Sequence, residues 1–588
     1  MKKTLRLFTS LLVVALMAMS IGITAFAADP TYKITIKRAA GDRTAHTYEA
    51  YQVFTGELTN GDVLTNIDWG SGVNSTKLLT ALTTDETIVD TDHNTKMKDL
   101  FTTTMTAPEV AKVLDQKGYD SDFAKRFAAA VGVSLTTVTA GSTDIDAEGT
   151  DSTTGVISGL APGYYFVKDE DASQTNVENG NYTRFVLRVV KDAEVTAKAV
   201  VPTLDKKIVE NNTEKSANTA SIGDDVKFRI NTAVPDTADY NKYFFIINDT
   251  LCNGLTFNAS SVKVYLNDST TAATDTAYTV KTGTAAAPYT FQVVINNAKA
   301  LSEQNVVVEY TATLNESCDR TVLGNENSAN LTYSNDPNHT YVGDNEPSDN
   351  PDDGDVTGKT PVIKTKTYTT GIKLIKIDGE TRNRLAGATF EIKGTTVNKV
   401  VVVSEAYELD AGGEYYLLKD GSYTKQAPTE QTKDEYASLT DKYKVTVTKT
   451  VKDGTGSGTT KTATATVDAQ GYLTFEGLGA GTYTIKEIDP PQDYNLLTTE
   501  FTVVIDAEPT LTEPGWKVGT SVDDLADVTT LIDGTFVKEL TVENNKGVIL
   551  PGTGGMGTTI FYVVGGLLIV CAGALLITKI RMRNKEEK

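Results

Sequence analysis

Cysteine is almost missing from this chain. There are 3 in 588 residues, and one of them, Cys571, lies in an apolar run near the C-terminus. The other two, Cys252 and Cys318, cannot build a disulfide framework, although an oxidising compartment permits a bridge between them. Histidine is equally scarce. His46, His93 and His339 stand apart from one another and from either cysteine, so no metal-ligand cluster or nucleophile–histidine spacing is visible. A glycine-rich phosphate loop is lacking too. Positive charge is in deficit: 55 Lys and Arg against 77 Asp and Glu leave a net charge of −22. That balance argues against nucleic acid as a partner and suits a soluble exported surface. The acidic stretch from Asp349 to Gly354 has the composition of a calcium loop. Pro351 falls where a ligand is needed, however, and Thr360 stands in place of the closing Glu, so it reads as a solvated linker. No metal and no cofactor is expected.

Long apolar runs occur only at the two ends. Lys2, Lys3 and Arg6 precede the apolar stretch Leu11 to Met19, which Ala25-Phe26-Ala27 follows. This basic, apolar, A-x-A order is that of a signal peptide over 1–27, with the mature chain starting at Ala28. At the other end Leu550, Pro551, Gly552, Thr553 and Gly554 stand ahead of an apolar run from Ile560 to Ile577. Lys579, Arg581, Arg583, Lys585 and Lys588 come after it. With its Thr558 and Thr559 flank the run approaches the ~20 residues that span a bilayer, and the basic tail holds the end in the cytoplasm. The three parts together resemble the LPxTG cell-wall sorting signal of Gram-positive bacteria, which a membrane transpeptidase, sortase, cuts between Thr and Gly. Residues 550–588 are therefore expected to be a sorting signal with a transmembrane helix. The resemblance implies export, a transient membrane anchor, and linkage to peptidoglycan.

Roughly 520 residues lie between these segments, enough for about three domains. Thr-rich runs such as Lys444 to Thr448 and Thr462 to Val467 alternate with period two, as half-buried strands do, so most of the chain should be β. Between Pro108 and Val133 the spacing changes. Val110, Val113 and Leu114, then Phe123, Phe127 and Ala128, recur at helical intervals, which predicts helices inserted in the first domain. Val201-Pro202-Thr203 opens a second segment, which ends in the Gly/Pro/Asp-rich stretch between Asn335 and Pro361; a third begins near Gly371.

The third segment carries the plainest motifs. Ile372-Lys373-Leu374-Ile375-Lys376-Ile377-Asp378 leads to Leu385-Ala386-Gly387-Ala388-Thr389-Phe390. Gly481 to Glu487 follows with Pro490, Pro491 and Tyr494 behind it, and Val542-Glu543-Asn544 comes last. These residues, with the segment order and the sorting signal, resemble the shaft pilins that sortases assemble on Gram-positive bacteria. The resemblance covers essentially the whole mature chain. It implies a mainly β fold of three tandem immunoglobulin-like β-sandwich domains. These are an N-terminal pilin domain over 28–200, an isopeptide-forming middle domain over 201–365, and a Cna B-type domain over 366–549.

In such domains a lysine and an asparagine condense to an amide with the help of an acid. The resemblance implies Lys376, Asn544 and Glu487 in the third domain, and assigns the acid of the middle domain to Asp249. Period two puts Leu204, Lys206 and Ile208 on one face, so Lys206 is the better inward lysine and Lys207 the second choice. Asn327 shares a face with Ala329, Leu331 and Tyr333, and Asn325, of the same parity, is its alternative. Burial lowers an amine's pKa and raises a carboxyl's. A neutral amine can then attack the carboxamide carbon while a protonated acid polarises the carbonyl. The strand from Phe185 to Val195 has no asparagine, so no cross-link is expected in the first domain.

Lys198, ahead of Val201-Pro202-Thr203, sits where the family carries the lysine that accepts the next subunit, with Ala197 in place of the usual proline. Head-to-tail joining of Thr553 to Lys198 does not close on itself and gives a filament. Lys191 and Lys207 are the rival acceptors. The implied partners are further copies of this chain, a pilus sortase and a housekeeping sortase, minor pilins and peptidoglycan; no host ligand is legible. The alternatives are a minor pilin or a monomeric wall-anchored adhesin, the latter having no use for Lys198. An enzyme is disfavoured, the only chemistry here being self-directed and single-turnover.

Overall fold

The computed structural model describes residues 30–586, apart from 40–41, 60–61, 88, 90–94, 118–121, 148–152, 172, 175–176, 199–200, 340, 342–355, 457–459, 529–530, 533 and 548–555. The expected signal peptide, the acidic stretch from Asp349 and the pentapeptide from Leu550 to Gly554 lie outside the described residues. The chain falls into two compact units. One runs to Tyr368 and takes in Glu508–Pro514; the other comprises Thr369–Ala507 and the residues from Gly515 onward. The protein is mainly β, its strands arranged as facing sheets of immunoglobulin type.

The first unit opens with a three-stranded sheet, in which Tyr32–Lys37 lies antiparallel to Thr154–Leu160 and parallel to Ala193–Thr196. It faces a larger sheet ordered Val63–Trp69, His46–Thr59, Gly163–Asp169, Arg184–Val189, with Gly141–Ile145 paired to His46–Thr59. Ile34, Ile36, Tyr48, Ala50, Tyr165 and Val167 fill the space between them. The other face of the larger sheet is covered by helices. The helical spacing after Pro108 corresponds to two, Ala107–Lys117 and Asp122–Gly132. Glu109 reaches back to the start of the first, its Oε2 accepting from the Thr106 N–H and from the Thr106 hydroxyl, each at 2.8 Å. A further helix, Ser75–Thr84, is capped by Asn74, whose Oδ1 accepts from Lys77 N at 3.0 Å. Leu78, Leu82, Val110, Leu114, Phe123 and Phe127 pack from these helices onto Phe54, Tyr164 and Phe166.

Two more sheets complete this unit. One runs Thr213–Lys215, Leu204–Glu210, Asp225–Ala233, Asn305–Leu314, Leu255–Leu266. The other runs Ala217–Thr219, Ile363–Tyr368, Asn325–Ser334, Phe245–Leu251, Phe291–Ile295, Tyr278–Thr282, with Thr357–Lys359 at its side. Polar contacts tie them to the strands before residue 200: Tyr333 donates to the Gly180 carbonyl at 3.0 Å, and Arg184 donates to the Pro337 carbonyl at 2.6 Å.

The second unit pairs two six-stranded sheets. Thr370–Asp378 sits inside one, antiparallel to Tyr472–Leu478 and parallel to Thr535–Asn544. Gly481–Asp489 lies in the other, between Thr389–Gly394 and Phe501–Ala507. The Thr-rich run at 444–448 belongs to the strand Tyr443–Asp453, which is exposed along nearly its whole length and not half-buried. The strand occupies a sheet edge, and among the described residues its ladder runs against Lys399–Leu409. The C-terminal helix is Met556–Glu586. Its side chains are described over 563–579 alone, and among the described residues no helix is long and apolar enough to cross a membrane.

An ionic cluster is buried in the larger sheet of the first unit. His46 is 2 % exposed; its Nδ1 lies 2.7 Å from Asp169 Oδ1 and its Nε2 lies 2.8 Å from Asp42 Oδ2. Tyr48 stacks on the ring, and Asp169 Oδ2 accepts from Thr183 N at 2.6 Å. Burial disfavours the imidazolium, but the two carboxylates outweigh it and push the pKa up to about 9. A pKa raised on folding stabilises below the unfolded value and ceases to do so as pH climbs through the folded one. From the ordinary 6.5 to about 9 the linkage amounts to about 3 kcal/mol. Urea unfolding followed by Trp69 fluorescence, in a Trp516→Phe background, should therefore show this region weakening between pH 6.5 and 9. His46→Gln should flatten that pH dependence while lowering stability at pH 6; an unchanged slope would remove His46 as its cause.

Candidate cross-linking sites

Among the described residues two lysine side chains are buried completely, and each meets an acid and an asparagine. On Leu204–Glu210, alternation sends Leu204, Lys206 and Ile208 inward, whereas Lys207 faces outward and pairs with Asp205 at 3.0 Å. Lys206 Nζ donates to Asp249 Oδ2 at 2.5 Å, to Asn327 Oδ1 at 2.7 Å and to the Tyr310 hydroxyl at 2.8 Å. Lys206, Asp249 and Asn327 are 0 % exposed. The rings of Phe228 and Tyr310 also lie within reach of the ammonium. Asp249 and Asn327 come from neighbouring strands of one sheet, where Leu251 is the register partner of Asn327. Lys206 comes from the facing sheet. An amide between Lys206 and Asn327 would thus cross the sandwich from sheet to sheet.

Burial pulls Lys206 down to about 8, against the opposing pull of Asp249. At pH 7 an amine with that pKa is neutral about one time in ten, against about one in three thousand for an ordinary lysine. Burial also pushes the Asp249 carboxyl up. Asn325 is buried as well, but it holds a turn: its Nδ2 donates to the Asp319 and Thr367 carbonyls at 2.8 and 3.1 Å, and no lysine meets it among the described residues.

The second unit solves the same problem with another geometry. Thr370–Asp378 and Thr535–Asn544 run side by side, with Lys376 opposite Val542 and Asp378 opposite Asn544. Lys376 Nζ reaches along the ladder to Asn544 Oδ1, and also donates to the Val542 carbonyl at 3.1 Å. Glu487, from the facing sheet, accepts from Asn544 Nδ2 at 2.9 Å through Oε2 and places Oε1 3.9 Å from Lys376 Nζ. Asn544 Nδ2 donates also to the Asn495 carbonyl at 2.8 Å, and Leu497 N–H to Glu487 Oε2 at 2.8 Å. Burial lowers Lys376 to about 8 despite Glu487.

Lys198 follows the strand Ala193–Thr196, exposed and in no ion pair among the described residues. Its backbone is anchored: Asn181 Nδ2 donates to the Lys198 carbonyl at 3.2 Å, and the preceding Ala197 is buried, its N–H bonded to the Lys37 carbonyl at 2.9 Å. Both rivals are paired, Lys191 with Asp62 at 3.1 Å and Lys207 with Asp205.

Cys252 and Cys318 are not bridged. Each sulfur turns to a different partner, Cys252 to Asn325 Oδ1 at 3.8 Å and Cys318 to Arg320 at 4.0 Å. Burial pushes the Cys318 thiol up to about 11. Two features escaped the sequence reading. Tyr310 belongs to the Lys206 cluster, and its only signal was the alternation Val306, Val308, Tyr310. Asp42 and Asp169 surround His46 from 4 and 123 residues away. Among the described residues no group of His, Cys, Asp and Glu could hold a metal ion.

Comparison with known proteins finds two domain matches, each of which holds part of one cluster and leaves its lysine outside. Residues 222–337, which include Asp249, Tyr310 and Asn327, match the Gram-positive pilin backbone subunit 2, Cna-B-like domain. Residues 450–514, which include Glu487, match the SpaA prealbumin-like fold domain. The trypsin-resistant surface T6 protein of Streptococcus pyogenes serotype M6 is 24% identical over 410 residues, covering 66% of this chain and 70% of that protein. The solved T6 backbone pilin of serotype M6 Streptococcus pyogenes aligns over 89% of this chain and 100% of its own, with TM-score 0.48 and 16% identity. The full-length major pilin SpaD of Corynebacterium diphtheriae aligns over 89% and 99%, with TM-score 0.42 and 15% identity.

Thiol labelling of the unreduced ectodomain in denaturant should modify both Cys252 and Cys318. Fewer than two labels would mean that the thiols pair in solution.

Proposed function

We propose that this chain, a backbone pilin of Gram-positive type by its matched domains and its T6 relative, is the repeating subunit of a covalent cell-surface polymer reinforced from within. The observation that carries this reading is the double occurrence of a buried lysine, acid and asparagine, Lys206–Asp249–Asn327 and Lys376–Glu487–Asn544. In each, the neutral amine attacks the carboxamide carbon. The Nζ–Cγ bond forms, the Cγ–Nδ2 bond breaks, one proton passes from Nζ to Nδ2, and ammonia leaves. The fold supplies the proximity, burial frees the amine, and Asp249 or Glu487 handles the proton. The chain divides into three domains, 28–200, 201–365 and 366–549, of which the last two carry the cross-links. By loop entropy alone each bond stabilises its domain by about 5 kcal/mol, comparable to the whole stability of a small domain.

Between subunits, sortase cleaves after Thr553, holds its carbonyl as a thioester and delivers it to the amine of Lys198. An acceptor amine has to be reachable and not already consumed. Lys198 is exposed, whereas Lys206 and Lys376 are buried. The finished polymer is anchored to peptidoglycan through the same signal, with minor pilins and the two sortases as its partners.

The intact mass of the ectodomain should fall short of the sequence mass by two ammonia losses of roughly 17 Da each. Asp249→Ala should abolish one loss and Glu487→Ala the other. An unshifted wild-type mass would sink the cross-link reading, and both losses persisting in either variant would unseat its acid.

Wall extracts of a Lys198→Ala strain should give a single monomer band where the wild type gives a high-molecular-weight ladder. A ladder that survives in Lys198→Ala but disappears in Lys191→Ala or Lys207→Ala would move the acceptor role to that residue.

A further inference from the structure

The two clusters differ in how the acid reaches the nitrogen that must leave. Glu487 touches it directly, accepting from Asn544 Nδ2 at 2.9 Å. Asp249, one methylene shorter, makes no hydrogen bond to Asn327 among the described residues. Its Oδ2 instead accepts from the Tyr310 hydroxyl at 2.7 Å, and that hydroxyl accepts from Asn327 Nδ2 at 2.8 Å. The phenol oxygen thus stands between the carboxyl and the departing nitrogen and also touches Lys206 Nζ.

Resting on the reading that Lys206 and Asn327 condense, we propose that Tyr310 is a catalytic residue of that step, relaying the proton from Asp249 to Asn327 Nδ2.

The chemistry requires such a path. When Nζ adds to the carboxamide carbon, Nδ2 loses its amide conjugation and becomes a pyramidal amine with a free lone pair. It cannot depart as an amide anion; it has to be protonated first. The proton shed by Nζ passes to Asp249 Oδ2, its 2.5 Å neighbour. Protonated Asp249 becomes the donor to the Tyr310 oxygen, and Tyr310 turns from acceptor to donor toward the new lone pair on Nδ2. Tyr310 gives its hydroxyl proton to Nδ2 and takes the one from Asp249. Cγ–Nδ2 then breaks, ammonia leaves, and Tyr310 and Asp249 return to their starting forms. One proton has moved from Nζ to Nδ2, and nothing is oxidised or reduced.

The surroundings suit a relay. Stacking on Phe228 and edge contacts with Phe257 and Phe291 hold the ring. Burial pushes the phenol well above its ordinary pKa, so the group stays a hydroxyl with a proton to pass. Asp249 Oδ1 makes no hydrogen bond among the described residues, which leaves Oδ2 as the working oxygen.

The test is a time course of intact mass on the freshly made ectodomain. Wild type should show both losses at once. Tyr310→Phe keeps the aromatic packing and should retain the loss at Lys376–Asn544 while slowing the loss at Lys206–Asn327 about a hundredfold or more. Near-UV circular dichroism checks that the variant is folded. Replacing Tyr310 with 3,5-difluorotyrosine, nearly the same in shape but more acidic, should change the rate without touching the fold. A Tyr310→Phe loss as fast as wild type, or an unchanged rate with the fluorinated residue, would overturn the relay. A wild-type ectodomain lacking the Lys206–Asn327 loss would instead overturn the cross-link on which it rests.

Discussion

An amine sealed from bulk solvent is the feature on which the rest of this molecule turns. Removing an ammonium or a carboxylate from water costs several kcal/mol per ion, and Lys206 and Lys376 are both fully sealed. A cost of that size is met only if the surrounding strands are locked in register. Phe228, Tyr310 and Phe291 supply that lock on one side; the parallel ladder of Thr370–Asp378 with Thr535–Asn544 supplies it on the other. A lysine–acid pair in such a place is unfavourable relative to an apolar core of the same volume. In the proposed function the unfavourable arrangement is transient, because condensation removes the amine's charge and the asparagine's free amide together.

The two clusters place their bonds differently with respect to the sheets. Lys206 and Asn327 sit on facing sheets, so a bond between them fastens the two layers of the sandwich to each other. Lys376 and Asn544 sit on adjacent parallel strands, so a bond there staples one ladder at its end. A parallel pair peels apart by breaking hydrogen bonds one after another. A covalent link at the end of the ladder halts that sequence, whereas a link between layers resists their sliding. Each is proposed to tie an early strand of its domain to a late one, and pulling force then runs through covalent bonds.

The strands before residue 200 are held differently. His46 lies between Asp42 and Asp169, an ionic clamp that is reversible and responds to pH. No asparagine is present from Phe185 to Val195, and the lysine of the larger sheet, Lys168, points its amine to Asp171 and Glu49 near the surface. The proposed covalent fastenings and the titratable one thus lie in separate parts of the chain.

Much of this was legible in the residues themselves. Period-two alternation is a local property, so it was enough to mark the strands and to put Lys206 on the inner face rather than Lys207. The helical intervals after Pro108 were local too. The helix Ser75–Thr84 carried only three inward leucines, Leu78, Leu79 and Leu82, too short a pattern to stand out. Alternation could not show that the strand Tyr443–Asp453 lies exposed at a sheet edge, because period two is the same for a core strand and an edge strand. Asn325 and Asn327 share a parity and are both buried, and only the turn around Asp319 separates their roles. Tyr310 looked like any inward aromatic until three strands from two sheets brought its hydroxyl to Lys206, Asp249 and Asn327. The sequence by itself determined the β character and the inward lysines, since these depend on neighbours along the chain. Which groups meet was decided by the tertiary structure alone, because contacts within and between the two sheets join residues 43, 104 and 121 positions apart.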